Sequence, residues 1–456
     1  GHQPGDGRSA RSRRRSGPLR RDSRPDPTGP RFIRPLRDFL RTESAGGVAL
    51  VAATVVALVW ANSPWKASYF DLWNTHLSVS LGARTLDLTL RDWINDGLMA
   101  LFFFVVGLEI KRELVEGELR APRRAALPVI AALGGMLVPA AIYLAINAGG
   151  DAVDGWGIPM ATDIAMAVGI MSLLGSRVAA SLKLFLLALA IVDDIGAIFV
   201  IAIFYAEAIH YDALVVTIAI AVAVIVLRRL GVWYTPLYAV LGISMWFFLH
   251  ESGIHATLVG VVLGLMAPTR AIRQREMVDA DMLADISTPE TARETVTLAR
   301  ESVSTVEWLE QILHPWTSFL IVPLFALANA GVLLNATVVD DALTARVTWG
   351  VVAGLVAGKL LGVTLFTWLA VRLRIGTLPE GARWSSIVGV GALAGIGFTV
   401  SIFVAGLAFD EPRLTEQAKI GILIASIVAG LLGASLLARS GTADTRASPD
   451  RGQRAA

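Results

Sequence analysis

Long apolar runs alternate with short polar loops along this chain. Runs near 46–62, 95–115, 126–147, 158–174, 182–205, 212–230, 234–250, 254–267, 313–334, 347–371, 385–409 and 417–438 predict about twelve membrane-spanning helices. Two stretches depart from that rhythm. Leu77, Val79 and Leu81 alternate with polar residues, Gly82-Ala83-Arg84 can turn the chain, and Leu86, Leu88 and Leu90 alternate again. This period of two predicts a β-hairpin on the outer side. An isolated hairpin is marginal in water. Either a second copy pairs along its edge, making a homodimer through residues 76–90, or it lies on its own subunit. The second stretch, about 271–309, is charged. Ser287-Thr288-Pro289-Glu290 predicts a capped helix start there, with the helix stopping near His314, before Pro315.

Composition agrees with a polytopic membrane protein. Hydrophobic residues make up 54% of the 456 and charged ones only 17%, against about 25% charged in soluble proteins. Mean hydropathy is +0.61. The absence of cysteine excludes disulfides, thiolate metal sites and cysteine nucleophiles. Residues 1–42 are arginine-rich and predict a disordered basic arm, better suited to anchoring at anionic lipid than to nucleic acid. Residues 439–456 predict a disordered tail. The net charge of +2 conceals an asymmetry. The arm, Arg120, Arg123, Arg124, Arg228, Arg229, Arg270, Arg372, Arg374 and Arg439 fall on one side of the predicted membrane. Asp151, Asp154, Glu207, Glu251, Asp340 and Asp410 fall on the other, with arginine only scattered there. The positive-inside rule places both termini in the cytoplasm.

A few charges interrupt the spans themselves. Asp193 and Asp194 lie side by side within an apolar run from Leu184 to Tyr205. A charge at bilayer centre costs roughly 2.5–3.5 kcal/mol on the insertion scale, so such residues mark function unless they serve only as packing salt bridges. Asp163 sits in a short span beside Gly157, Pro159 and Gly169, and Lys359 follows Gly358 in another. The eleventh span carries no charge but holds Gly389, Gly391, Gly395, Gly397 and Gly406 near Thr399 and Ser401. Those glycines suit either close helix packing or an unwound helix. Adjacent helical residues point about 100° apart, so Asp193 and Asp194 do not face one cavity together. One lines a water-filled funnel while the other pairs with a neighbouring helix, and Lys359 is the mid-span lysine available. Carboxylate oxygens suit a small hard cation such as Na⁺. Burial penalises the charged forms of carboxylate and lysine alike, which lets protons and cations compete for one site.

At these residues the chain resembles the NhaA-type Na⁺/H⁺ antiporters, from about Arg41 to Ala438. The resemblance is carried by Asp96-Gly97-Leu98-Met99, Val106-Gly107-Leu108-Glu109-Ile110-Lys111-Arg112-Glu113, Ala161-Thr162-Asp163-Ile164-Ala165, Val192-Asp193-Asp194-Ile195-Gly196-Ala197, Ser252-Gly253-Ile254-His255-Ala256-Thr257-Leu258, Leu313-His314-Pro315-Trp316, Gly358-Lys359 and Gly395-Ile396-Gly397-Phe398-Thr399-Val400-Ser401-Ile402. It implies an all-α polytopic membrane domain over 43–438, with inverted repeats and two discontinuous helices, spans 4 and 11, crossing at mid-membrane. It implies that Asp194 and Asp193 form the cation and proton site, with Asp163 and Thr162 close by. Lys359 would alternately hold and release Asp193. It implies electrogenic, ATP-independent extrusion of Na⁺ or Li⁺ in exchange for H⁺, with no cofactor, in a bacterial cytoplasmic membrane.

The resemblance further implies a pH-regulating cluster of Glu109, Arg112, Glu113, Glu310, His255 and His314. Gln311 departs from the pattern, since some relatives place another histidine there. An intramembrane aspartyl protease lacks support, because neither Asp163 nor Asp193 follows a Gly-x-Gly run. A passive channel needs no lysine–aspartate exchange pair. A sodium-coupled symporter of related architecture is the nearest alternative; it would need an additional pocket for an organic substrate.

Overall fold

A computed structural model describes residues 33–81, 84–206, 209–232, 234–269 and 304–441. The chain divides into two compact units, Gly1–Phe39 and Leu40–Ala456. The first lies outside the described residues except where helix α1, Ile33–Ala61, begins in it. That helix starts within the expected 1–42 arm. The rest of the arm, the tail beyond 441 and the helix start at Ser287 lie outside the described residues.

After α1 come a short α2 (Lys66–Asn74) and the hairpin strands β1 (His76–Leu81) and β2 (Arg84–Thr89). The strands pair antiparallel, with Leu77 opposite Leu88 and Val79 opposite Leu86. Ser78 Oγ donates to Asp87 Oδ1 at 2.6 Å across the pair, which holds the Asp87 carboxyl below its ordinary range. Trp93 Nε1 ties the hairpin to the following helix by donating to the Leu77 carbonyl at 2.9 Å. Leu77 and Val79 remain about half exposed, at 49% each.

The helices of the bundle follow in order: α3 (Leu90–Val115), α4 (Pro122–Asn147), α5 (Ile164–Leu173), α6 (Ala180–Phe204), α7 (Tyr211–Arg229), α8 (Thr235–Glu251), α9 (Leu258–Met266), α10 (Thr305–Asn329), α11 (Ala336–Thr344), α12 (Arg346–Arg372), α13 (Trp384–Leu393), α14 (Phe398–Ala408) and α15 (Pro412–Gly441). Among the described residues, nine helices are long and apolar enough to cross a membrane; the bent pair α13 and α14 makes a tenth if it counts as one span. The predicted spans near 234–250 and 254–267 are present as helices of 17 and 9 residues, shorter than a full crossing.

Glycine lets the central helices touch backbone to backbone, as apolar bundles require. A Cβ on Gly362 of α12 would lie 2.1 Å from the Gly134 carbonyl of α4, and one on Gly134 only 2.4 Å from the Gly362 carbonyl. The expected stop before Pro315 does not occur. Helix α10 runs through Pro315 and widens into a π-helical turn over Thr317–Ile321. There Thr317 Oγ1 donates to the His314 carbonyl at 2.8 Å.

Two spans are interrupted, and the interruptions touch. A 3₁₀ stretch, Val153–Met160, precedes an extended Ala161-Thr162-Asp163, after which α5 begins. Helices α13 and α14 meet at 47° around Ala394–Gly397. The glycines of this span do both of the jobs open to them. Gly389 packs against Leu437 of α15, while Gly395 and Gly397 lie within the break.

Candidate functional site

Helix α6 carries Asp193 and Asp194, and both are buried, at 0% and 6% exposure. Helix α12 brings Lys359, fully buried, against them. Its Nζ donates to Asp193 Oδ2 at 2.6 Å and to Thr162 Oγ1 at 3.0 Å. Thr162 Oγ1 is itself 2.7 Å from Asp193 Oδ2 and 2.9 Å from the carbonyl of Ala394, where α13 ends. A hydroxyl has one proton, so Thr162 donates to one of these acceptors at a time. Lys359, Asp193 and Thr162 thus close a triangle drawn from three spans.

Asp163 lies one residue further and works differently. Its Oδ1 accepts from the Met166 N–H at 3.0 Å, capping α5. Its Oδ2 accepts from the Thr399 N–H at 3.1 Å and from Thr399 Oγ1 at 2.7 Å. Its own N–H donates to the Ile396 carbonyl at 2.6 Å. Sequence reasoning brought Asp163, Asp193, Asp194 and Lys359 to one site, and the structure assembles them. It did not find that Thr399 and the Ala394 carbonyl complete the site, although Thr399 follows a glycine-marked break.

Asp194 stands apart from this network. Its Oδ1 is buried without a hydrogen-bond partner, as is Asp193 Oδ1. Each of these adjacent carboxylates thus has one buried oxygen available to a further partner.

Of the six residues expected to respond to pH, five interact with one another between α3 and α10: the charges of Arg112, His314 and Glu113 all act on Glu310, and His314 reaches Glu109. Arg112 forms an ion pair with Glu310. His314 Nε2 lies 3.9 Å from Glu109 Oε1, both largely buried. Glu113 also accepts from the Glu118 N–H at 2.7 Å. His255 contacts the Tyr205 carbonyl, just past the end of α6. A further histidine–carboxylate contact was not foreseen: His250 Nδ1 lies 3.6 Å from Asp96 Oδ2, with Trp246 stacked on His250.

A multi-pass bundle with two broken spans in contact, and a buried lysine–carboxylate set at that contact, defines a membrane transporter for a small ion. A sequence profile of the Na⁺/H⁺ antiporter 1 family matches residues 37–437. The chain belongs to that family. It is 47% identical over 419 residues to the Na⁺/H⁺ antiporter NhaA of Rhodopirellula baltica, covering 89% of this chain and 94% of the relative. It is also 47% identical over 424 residues to the protein of the same name from Oleidesulfovibrio alaskensis, with 89% and 94% covered. To the Na⁺/H⁺ antiporter NhaA 3 of Frankia alni it is 45% identical over 412 residues, covering 90% and 89%. Membership in a family of antiporters decides against the symporter alternative.

Proposed function

We propose that this protein extrudes Na⁺, and Li⁺ in its place, in electrogenic exchange for protons, and that Asp194, Asp193, Lys359, Thr162 and Asp163 perform the exchange. The observation that carries this reading is the Lys359–Asp193 pair, 2.6 Å long and fully buried, beside the unpartnered Asp194 oxygen. A cation that reaches Asp194 meets two carboxylates, one of them neutralised by Lys359. Its charge repels the lysine ammonium and weakens that pair. Lys359 then lets go of Asp193, and protons leave the site as the cation enters. When the cation departs to the other side, protons return and Lys359 recovers Asp193. Two or more titrating groups served by one cation make the exchange electrogenic. The proton steps belong to the coupled set, not to one aspartate.

Asp163 supplies fixed negative charge where two helix N-termini meet, and Lys359 offsets the opposite ends. The ion pair of Arg112 with Glu310, together with Glu109 and His314, gives the protein a titratable link between α3 and α10. With Glu113 and His255 these residues form the set we assign to pH regulation. The half-exposed Leu77 and Val79 support a homodimer through 76–90. The charge bias supports cytoplasmic termini in a bacterial inner membrane, with the basic arm facing lipid and not nucleic acid.

The test is Na⁺-dependent proton movement in proteoliposomes across pH, with and without Asp194→Asn. Exchange is expected to vanish in the variant, and unchanged exchange would sink the assignment.

A further inference from the structure

Helix α14 begins at a residue unable to cap it. Its N-cap is Gly397, which has no side chain, and a Cβ there would lie 2.2 Å from Ser401 Oγ. The first N–H groups of a helix lack partners within it. Here the cap comes from another span. Asp163 Oδ2 accepts both the N–H and the hydroxyl of Thr399, while Oδ1 accepts the Met166 N–H of α5. One buried carboxylate therefore holds the starts of two half-helices of ten and eleven residues.

We propose that Thr399 is a positioning residue for ion binding. Its hydroxyl locks the Asp163 carboxylate in place, and through the shared peptide it places Thr162 against Asp193 and Lys359. The mechanism above assigns Thr399 no part, and it touches neither Asp193 nor Lys359 through any hydrogen bond described. Hydrogen bonds to a charged acceptor are the stronger kind. The 2.7 Å bond from Thr399 Oγ1 is the shortest that Asp163 Oδ2 receives. Without it the carboxylate keeps the backbone N–H groups of Thr399 and Met166 but loses the shorter of the two bonds to Oδ2. The cation site then loses geometry, not charge.

Ser401 offers an internal contrast. Its Oγ donates to the Ile158 carbonyl at 2.7 Å, in the other interrupted span and ahead of the break that holds Asp163. Ser401 thus fastens α14 to the 3₁₀ stretch without touching Asp163.

The inference rests on the site assignment above. The experiment compares half-saturating Na⁺ and maximal exchange rate in proteoliposomes for Thr399→Val, Thr399→Ser and Ser401→Ala. Valine keeps the shape and the backbone donor and removes only the hydroxyl. It is expected to raise half-saturating Na⁺ roughly tenfold, the scale of one hydrogen bond to a charged group, and to leave the maximal rate within about twofold. Thr399→Ser restores the original half-saturation. Ser401→Ala lowers the melting temperature and leaves half-saturation in place. The proposal falls if Thr399→Val binds Na⁺ unchanged, or if Thr399→Ser is as impaired as valine, which would point to the methyl group. If Thr399→Val does not accumulate in the membrane, Thr399→Ala is read the same way, and failure of both assigns Thr399 to folding and overturns the proposal. Asp194→Asn keeps the two ideas separate. Exchange retained by Asp194→Asn removes the site itself. Exchange abolished there, with half-saturation unmoved in Thr399→Val, removes only the inference.

Discussion

Lys359 is among the largest fully buried side chains of the protein, and its charged partner is Asp193. Removing one member of a buried ion pair leaves the other charge uncompensated, at a cost of about 3–5 kcal/mol. Lys359→Ala is therefore expected to lower the melting temperature in detergent and to shift the pH profile of exchange. An unaltered profile together with an unaltered melting temperature would count against the pair. At this scale the grouping of Asp193 with Lys359 within the spans was legible in the sequence, because acids and a lysine inside apolar runs are costly enough to stand out. Their partners were less so. Thr399 lies 236 positions from Asp163, and a threonine in an apolar helix ordinarily carries no such signal.

Between elements, close approach decides what the bundle tolerates. A side chain at Gly362 would enter the Gly134 carbonyl, so Gly362→Val is expected to reduce the folded protein recovered from membranes severalfold, as overpacking costs typically 1–3 kcal/mol. Normal recovery and melting temperature would refute that packing. At one end of α15, Arg413 and Gln417 both donate to Asp341 of α11. They hold its carboxyl down to about 2. A carboxyl lowered in the folded state stabilises above its ordinary value near 4 and loses that contribution only as pH falls toward 2. The α11–α15 staple is thus expected to persist through mildly acidic pH, and Asp341→Asn is expected to speed hydrogen exchange in α11 at neutral pH. Equal exchange in the two proteins would remove the staple. The homodimer proposed through the hairpin is expected to loosen in detergent when residues 76–90 are deleted, and a dimer surviving that deletion would refute the hairpin contact.

For the whole molecule, electrogenic exchange predicts a response to voltage. Exchange of more protons inward than Na⁺ outward carries net positive charge in. A negative interior, imposed with a potassium gradient and valinomycin, is expected to accelerate Na⁺ extrusion from proteoliposomes. A rate indifferent to the imposed potential would show an electroneutral exchanger.

The run lengths of the spans, the hairpin and the mid-span charges follow from the sequence alone, since hydropathy and period are local properties of the chain. The motifs around Asp163, Asp193, Lys359 and Gly395 also carried the family. The continuation of α10 through Pro315 did not follow, because proline reads locally as a helix stop, and the π-helical turn that carries the span onward is set within the bundle. Nor did the residue-level pairing of Lys359 follow from the local pattern. Asp193 and Asp194 are chemically equal and adjacent, and only the packing of α12 and α6 against α4 brings Lys359 to Asp193 and leaves Asp194 outside that pair. The same holds for Asp163, whose two oxygens serve two helix starts only because the breaks in two spans meet. Local pattern sets which residues enter the membrane, and tertiary contact sets which of them share a proton, a cation or a cap.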